Sequence, residues 1–598
     1  MTPTRELSAQ VRTSIVSILT VVLFFSLGFR LYQIQIIESE KYQKTSEKNA
    51  IKEKIIEPYR GIFYDRNWKV LVDNQPGFTL RIIPYYFDTT VIPVLENYFK
   101  LKHGYIKYLL RANKNFSPFI PIRVQRGLSF EQISWLEENK ENLPGVEYII
   151  DMQRSYPFGI RGSHLFGYCK EISRKELEEK KDFYIMGDFV GHNGLEKYYE
   201  EYLRGIKGKQ LVYVDSKGRE VGPVNEGKND IKPVSGYNAQ LTIDGELQKL
   251  AEELLADKSG AIVALDPSNG EILTLVSKPD FDLSHFASLT PASVWKELNS
   301  DKNKPLFNRA TSSIYPPGSC FKPINALAAL NDGVIDEKYT YSCGGGFSFG
   351  NHFYKCMGSH GGLNVVHAIE KSCNTFFFNL ILKNGFERWT KYGRMFGFGQ
   401  RTGIDIYEET PGILPSVEYY DKIYGKGRWT KGYVVSLGVG QGELGVTPLQ
   451  MAVYVSAIAN GGTLYRPHAV RKLFNPEANP KEIIIPIEGK KLPIKQEAME
   501  LVRQGMFLVV NGAGTATHVR IPGINVAGKT GTAQNPHGKD HAWFIGFAPF
   551  ENPKIAIAVI VENAGFGGAV AAPIAKQLIE FYLKDKTKNV QDLAANKN

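Results

Sequence analysis

Tyr315-Pro316-Pro317-Gly318-Ser319-Cys320-Phe321-Lys322, with Ala326-Leu327-Ala328-Ala329-Leu330 behind it, reads as a turn that delivers a serine to the start of a helix. Lys322 stands one helical turn beyond Ser319, so a helix puts both side chains on one face. Two more short words follow in order, Ser372-Cys373-Asn374 and Lys529-Thr530-Gly531. Each recurs by chance in a chain this long, but the ordered set with its flanking turn and helix is specific. Together they describe a site for acyl transfer.

A serine hydroxyl is a weak nucleophile and needs a base beside it. Lysine is no base at neutral pH unless burial and a second cation depress its pKa, which casts Lys322 as base and Lys529 as the second cation. Ser372 can relay the proton to the departing amine, and Asn374 can hydrogen-bond Lys322 or the substrate amide. Thr530 and Thr532 offer hydroxyls, and Lys529 a positive field, to a substrate carboxylate. Gly531 is expected to let the substrate backbone come close. The N–H groups of Ser319 and Thr532 are candidates for an oxyanion hole.

Outward from these words, Gly260–Leu265 and Glu271–Val276 are apolar runs joined by the turn Asp266-Pro267-Ser268-Asn269-Gly270. Near the end, Asn525–Gln534, His541–Ala548 and Ile555–Val561 read as three strands, and Ala571–Leu583 as a closing helix. The fold expected is α+β, a five-stranded antiparallel sheet flanked by helices, with a helical insertion between its second and third strands. Asp244 is placed to cap a helix carrying Leu247, Leu250, Ala251, Leu254 and Leu255. Upstream, Phe78–Ile83 alternates, Lys175–Lys181 is a charged helical piece, and Gly194 to Leu203, closed by Gly205, is an amphipathic helix. That upstream region holds no nucleophile motif and reads as a spacer or docking domain.

The chain has 598 residues, 43% of them hydrophobic and 22% charged, which implies more than one domain and a globular rather than a disordered protein. A net charge of +10 without zinc-finger, KH or aromatic-basic signatures argues against nucleic acid and suits work beside an anionic lipid or polymer. Seventeen uncharged residues separate Arg12 from Arg30, and Leu31 and Ile34–Ile37 extend the apolar run. Phe29-Arg30-Leu31-Tyr32 follows where a signal peptide would show a small-residue cleavage site, so the segment is expected to stay as an anchor. Arg5 and Arg12 put the short tail in the cytoplasm and the body outside it.

From about residue 55 to 585 the chain resembles a class B penicillin-binding protein. The resemblance rests on Arg60-Gly61-Ile62-Phe63-Tyr64-Asp65-Arg66-Asn67, Arg154-Ser155-Tyr156-Pro157, Tyr315–Ser319, Gly438-Val439-Gly440-Gln441-Gly442 and Gly528-Lys529-Thr530-Gly531-Thr532. Cys320 stands where many relatives carry threonine or valine, and Asn374 where some carry aspartate. The resemblance implies a D,D-transpeptidase of cell-wall elongation, acylated by stem peptides and by β-lactams at the same serine. It implies a cytoplasmic tail at 1–12, a membrane anchor at 13–37 and a pedestal or dimerisation-type domain at 38–237. A transpeptidase domain at 238–585 and a polar tail at 586–598 complete the division. The glycosyltransferase motif of bifunctional relatives is missing from the sequence, so glycan polymerisation falls to a multi-pass membrane partner of the RodA kind. A serine β-lactamase and a β-lactam sensor are the competing readings, since they share the three words.

Five cysteines remain to be placed: Cys169, Cys320, Cys343, Cys356 and Cys373. Cys343, Cys356, His360 and Cys373 supply four ligands of the kind zinc takes in a closed structural site. A disulfide such as Cys343 to Cys356, or buried thiols, answers the same spacing in an extracytoplasmic protein. The resemblance implies zinc, because some relatives hold it at matching positions; none is needed for acyl transfer itself.

Overall fold

Every residue of Gly260–Leu265 (β1), Ile272–Lys278 (β2) and Ile555–Val561 (β5) is buried, which is why these segments read as unbroken apolar runs rather than alternating ones. With Ala527–Ala533 (β3) and His541–Ala548 (β4) they form a five-stranded sheet in the order β2-β1-β5-β4-β3, all pairs antiparallel. Asp266 Oδ1 accepts from Ser268 N at 2.9 Å and Asn269 Oδ1 from Glu271 N at 2.9 Å, so two local side-chain turns close the first hairpin. The computed structural model describes residues 9–40, 51–114, 118–119, 121–180, 183–185, 187–214, 220–287, 290 and 292–595.

Helices cover the sheet. Pro448–Ala459 (α5) is buried along its whole length and packs on β1, β4 and β5. A helix apolar all round can only be a core element or a membrane span, and its burial settles which. Thr447 and Gln450 form a capping box at its start. Gly245–Leu254 (α1), capped by Asp244 as expected, covers β2, and Ala571–Ala595 (α7) packs on β4 and β5. That closing helix continues past Leu583, where the apolar pattern stops, into the expected polar tail; residues 596–598 lie outside the described ones. Between β2 and β3 lie Lys322–Asn331 (α2), Val365–Glu370 (α3), Asn374–Asn384 (α4), α5 and Gln496–Asn511 (α6), the helical insertion that carries two of the three words.

The chain divides into two compact units, residues 59–204 with 236–598, and residues 1–58 with 205–235. The expected pedestal, 38–237, is shared between them. The reason is a mixed sheet: Asn238–Leu241 pairs parallel with Phe63–Tyr64 and antiparallel with Val470–Phe474, which knits residues 59–204 to the C-terminal half. Val70–Ile82 extends this sheet and pairs with Ile122–Arg126 and Val146–Ser155, beneath a separate small core that includes Leu80, Ile92, Leu95 and Leu136. The amphipathic stretch after Gly194 is two short helices, Gly194–Tyr198 and Glu200–Leu203, ending at Gly205 with φ +72°. The charged piece near Lys175 is the helix Arg174–Glu179, capped by Ser173; Lys181 lies outside the described residues.

In the smaller unit, Ile51–Ile56, Gly208–Val214 and Glu220–Pro223 form an antiparallel sheet. Its N-terminal helix, Ala9–Tyr32 with a π turn over Gln33–Ile37, is the one helix among the described residues long and apolar enough to cross a membrane. The 28 residues from Gln10 to Ile37 extend about 42 Å, against about 30 Å of hydrocarbon. Residues 1–8 of the expected tail lie outside the described ones.

The arginines of two resemblance motifs converge on one carboxylate. Glu196 is almost fully buried and accepts from Arg60 Nε at 2.6 Å and Arg154 Nε at 2.8 Å. Burial pushes its pKa up, and Arg154 and Arg60 override that to hold it below the ordinary carboxylate value. Gly61 sits where a Cβ would strike the Tyr237 carbonyl, and Asp65 accepts from Asn67 N, Lys69 N and Gly245 N. Glu196→Ala would leave two buried guanidinium groups short of a partner. The expected result is a loss of roughly 3–5 kcal/mol in the larger unit, measured as a lowered thermal unfolding midpoint.

Candidate active site

Ser319 sits half-buried in a 3₁₀ turn, Gly318–Phe321, that runs directly into α2. Gly318 has φ +55°, and a Cβ there would lie 2.6 Å from the Thr532 carbonyl oxygen, so only glycine lets the turn sit on β3. Its N–H donates to Gly440 O at 2.9 Å, Tyr315 exchanges backbone hydrogen bonds with Val446, and Trp543 Nε1 donates to Pro316 O at 3.1 Å. The Ser319 turn is therefore gripped from β4, from the glycine-rich Gly438–Gly442 stretch and from Val446, two residues before α5. Cys320, beside the serine, is fully buried, and burial pushes its thiol up to about 12, so it stays protonated and offers no rival nucleophile.

Lys322 is fully buried, and its Nζ donates to Ser372 O at 2.7 Å, Ser372 Oγ at 3.2 Å and Asn374 Oδ1 at 2.7 Å. Lys529, also fully buried, donates to the same Ser372 Oγ at 2.8 Å and to Thr530 O at 3.1 Å. The three words thus meet on one hydroxyl. Ser372 is held there at φ +54°, an unusual backbone state for a residue other than glycine. Burial pushes the Lys322 pKa well below its ordinary value and Lys529 pushes it further, with nearby thiols opposing. Burial brings Lys529 down to about 8. Both lysines are thereby held below their ordinary value.

On β3, a Cβ at Gly531 would lie 2.8 Å from both Cys320 Sγ and Pro317 O, so the glycine makes room for the Ser319 turn. Thr530 Oγ1 lies 2.6 Å from Thr515 Oγ1, and Gln441 Nε2 donates to Thr532 O at 2.9 Å. The Ser319 N–H belongs to the first turn of its helix, whose donors lack intrahelical acceptors. Thr515, Trp543 and Gln441 escaped the reading of the sequence. Gln441 lay inside a quoted glycine-rich motif, whereas Thr515 carries no local signal because fifteen residues separate it from Thr530 without a shared element.

Cys343, Cys356, His360 and Cys373 come together, their four ligand atoms all within 4.8 Å of one another. All the cysteines are free thiols, so no disulfide joins Cys343 to Cys356. Cys356 Sγ lies 3.9 Å from Cys373 Sγ and 3.7 Å from His360 Nδ1. A tetrahedral zinc with bonds of about 2.3 Å to sulfur and about 2.0 Å to nitrogen requires separations of about 3.8 and 3.5 Å, so the donor set fits in chemistry and these two pairs lie close to the spacing required. A hydrogen bond from Cys373 holds the Cys356 thiol below its ordinary value. Cys373 lies between Ser372 and Asn374, so whatever this cluster holds also holds the loop that meets Lys322.

Two buried lysines with half-buried serines, on the edge of a five-stranded antiparallel sheet, define a serine acyltransferase of the penicillin-binding fold. The family model of the penicillin-binding protein transpeptidase domain matches residues 260–580, and that of the penicillin-binding protein dimerisation domain matches residues 55–241. The peptidoglycan D,D-transpeptidase MrdA of Haemophilus influenzae is 33% identical over 97% of this chain and 93% of its own length. Penicillin-binding protein 2 of Helicobacter pylori, solved in complex with MreC, superposes with a TM-score of 0.74 at 28% identity, covering 89% of this chain and 99% of that one. A chain from a peptidoglycan synthase complex that coordinates polymerization and crosslinking gives 0.70 at 28% identity over 95% of this chain and 98% of its own. The chain belongs to the class B penicillin-binding proteins, in the group of penicillin-binding protein 2.

Ser319→Ala should abolish labelling by a fluorescent penicillin while leaving the thermal unfolding midpoint unchanged, and the labelled peptide of the parent protein should contain Ser319. Lys322→Ala and Lys529→Ala should each slow labelling by at least about a hundredfold, the scale of losing a general base or an electrostatic donor. A label that persists in Ser319→Ala at another serine overturns the assignment.

Proposed function

We propose that this chain cross-links peptidoglycan during cell-wall elongation as a serine D,D-transpeptidase. The observation that carries the reading is the Ser372 hydroxyl shared between buried Lys322 and buried Lys529. Neutral Lys322 takes the proton of Ser319 as its Oγ attacks the carbonyl of the penultimate D-Ala of a stem peptide. The developing oxyanion sits between the N–H groups of Ser319 and Thr532. Because Ser372 Oγ accepts from lysine on two sides, its own hydrogen is directed away from them, toward the leaving amine. It passes a proton to the departing D-Ala and is resupplied from Lys322. The ester on Ser319 is then attacked by an amine of a neighbouring stem peptide, with Lys322 again as base. Lys529, Thr530 and Thr532 hold the terminal carboxylate. Gly531 serves by seating Pro317 and Cys320 on the strand. The match to this family over both domains, pedestal included, supports a transpeptidase over a β-lactamase or a sensor.

Zinc is the group we assign to Cys343, Cys356, His360 and Cys373, on the fit of the donor set. Bound there it would tie the β-strand segment at Cys343 to the Ser372 loop, a structural role outside the proton path. The helix Gln10–Ile37 anchors the chain in the inner membrane, with the catalytic body outside the cytoplasm. The likeness to a chain of a peptidoglycan synthase complex supports a glycan polymerase as partner; we assign it to the multi-pass RodA kind and its contact to residues 38–237, which carry no nucleophile motif.

Given a pentapeptide ending in D-Ala-D-Ala and an acceptor amine, the protein should release D-Ala and form the cross-linked product; hydrolysis without transfer counts against the reading. The acylation rate should be bell-shaped in pH. It rises as Lys322 loses its proton at its depressed pKa, because only the neutral amine is a base, and falls above about pH 8 as Lys529 loses its charge. Elemental analysis should find about one zinc per chain, and Cys373→Ser should lower both zinc content and acylation rate. Metal-free protein that acylates at the full rate removes the zinc assignment.

A further inference from the structure

Glu562 follows directly on β5, and the reading of Ser319 as nucleophile gives it no part in the proton path. Its Oε1 nevertheless accepts from Tyr315 OH at 2.6 Å and from Arg309 Nε at 3.0 Å. Both donors are buried, and the Glu562 side chain is only 18% exposed. Arg309 is tied at its other nitrogens to Asn303 O at 2.7 Å and Lys304 O at 3.3 Å, so it cannot swing to follow the carboxylate. The Tyr315 ring stands edge-on to His541 and Trp543, on β4.

We propose that Glu562 is a positioning residue for acylation, holding the Tyr315–Gly318 turn, and through it Ser319, against the sheet by the Tyr315 hydroxyl. A buried ion pair is weak evidence for stability, since apolar residues of the same volume often serve packing as well. What a shared carboxylate oxygen supplies is direction. It fixes the phenol in one place, and the phenol lies four residues before the nucleophile. The hydrogen bonds from Val446, Trp543 and Gly440 act on the turn's backbone, and His541 and Trp543 pack edge-on against the Tyr315 ring. Glu562 is the charged group that fixes the Tyr315 hydroxyl. A displacement of the order of 1 Å at a nucleophile costs up to about a hundredfold in rate, so a loosened turn should show in the chemical step and not in binding.

The test is stopped-flow acylation by a fluorescent penicillin, which separates the non-covalent Kd from the acylation rate constant. Glu562→Ala should lower the rate constant by about ten- to a hundredfold and leave Kd within about threefold. The acid limb of the pH profile should keep its midpoint, because Lys322 is untouched. Glu562→Gln, which keeps an oxygen for the phenol, should restore most of the rate. Tyr315→Phe should mimic the loss, and Glu562→Ala added to it should cost little more, since both break one link. A folded Glu562→Ala protein with the parent rate constant, a loss confined to Kd, or independent addition of the two losses overturns the proposal. If Glu562→Ala fails to fold, Tyr315→Phe, which removes a single oxygen, decides it by the same readout. A parent protein labelled elsewhere than Ser319 would fail the nucleophile assignment instead, before any variant is made.

Discussion

Two lysine side chains held out of water on one serine hydroxyl are the constraint around which this molecule is built. Lys322 and Lys529 are both fully buried, and each gives hydrogen bonds to Ser372. Burying one such charge costs several kcal/mol, and burying two side by side adds repulsion. The arrangement persists only if the surrounding packing is rigid enough to deny both lysines any other place. The depressed pKa values are the chemical result of that confinement, and they suit the base role proposed for Lys322.

The rigidity comes from the sheet and the helix beneath it. β3 delivers Lys529, and the fully buried α5 supports β1, β4 and β5. Tyr454 of α5 reaches up to donate to Cys320 O at 3.3 Å, directly behind Ser319. α6 packs on both β3 and α3, so the strand with the last word and the helix before the Ser372 loop share one neighbour. Glycines at 318, 440 and 531 bring the three segments to distances that any side chain would prevent. The pedestal motifs answer a different need. Arg60 and Arg154 neutralise one buried carboxylate, while Arg66 and Arg471 both bind Glu271, next to the first hairpin.

Much of this was legible because it is local. Apolar runs of six to eight residues with turn residues between them specify β1, β2, β4 and β5 almost to the residue, and Asp244 marks the start of α1. The helix from Ala571 was misjudged at its end, since its polar continuation lacks the periodicity that locates a buried face. The amphipathic stretch after Gly194 broke into two short helices, because burial of Glu196 and Glu200 on Arg60 overrides the helical pattern.

The sequence by itself determined the reaction class and the strands: residue type and order mark Ser319, Lys322, Ser372, Asn374 and Lys529 as candidates, and hydrophobic pattern marks the sheet. Only the tertiary structure decided that Lys322 points to the second word, that Gly531 accommodates the chain itself, and that Thr515 joins Thr530. It also decided that three cysteines and a histidine meet and that Glu562 closes on Tyr315. The physical reason is range. Periodicity records which face of an element is buried within a few residues, whereas Lys529 and Ser372 are 157 positions apart and Glu562 and Tyr315 are 247, so their meeting is fixed by how the elements pack.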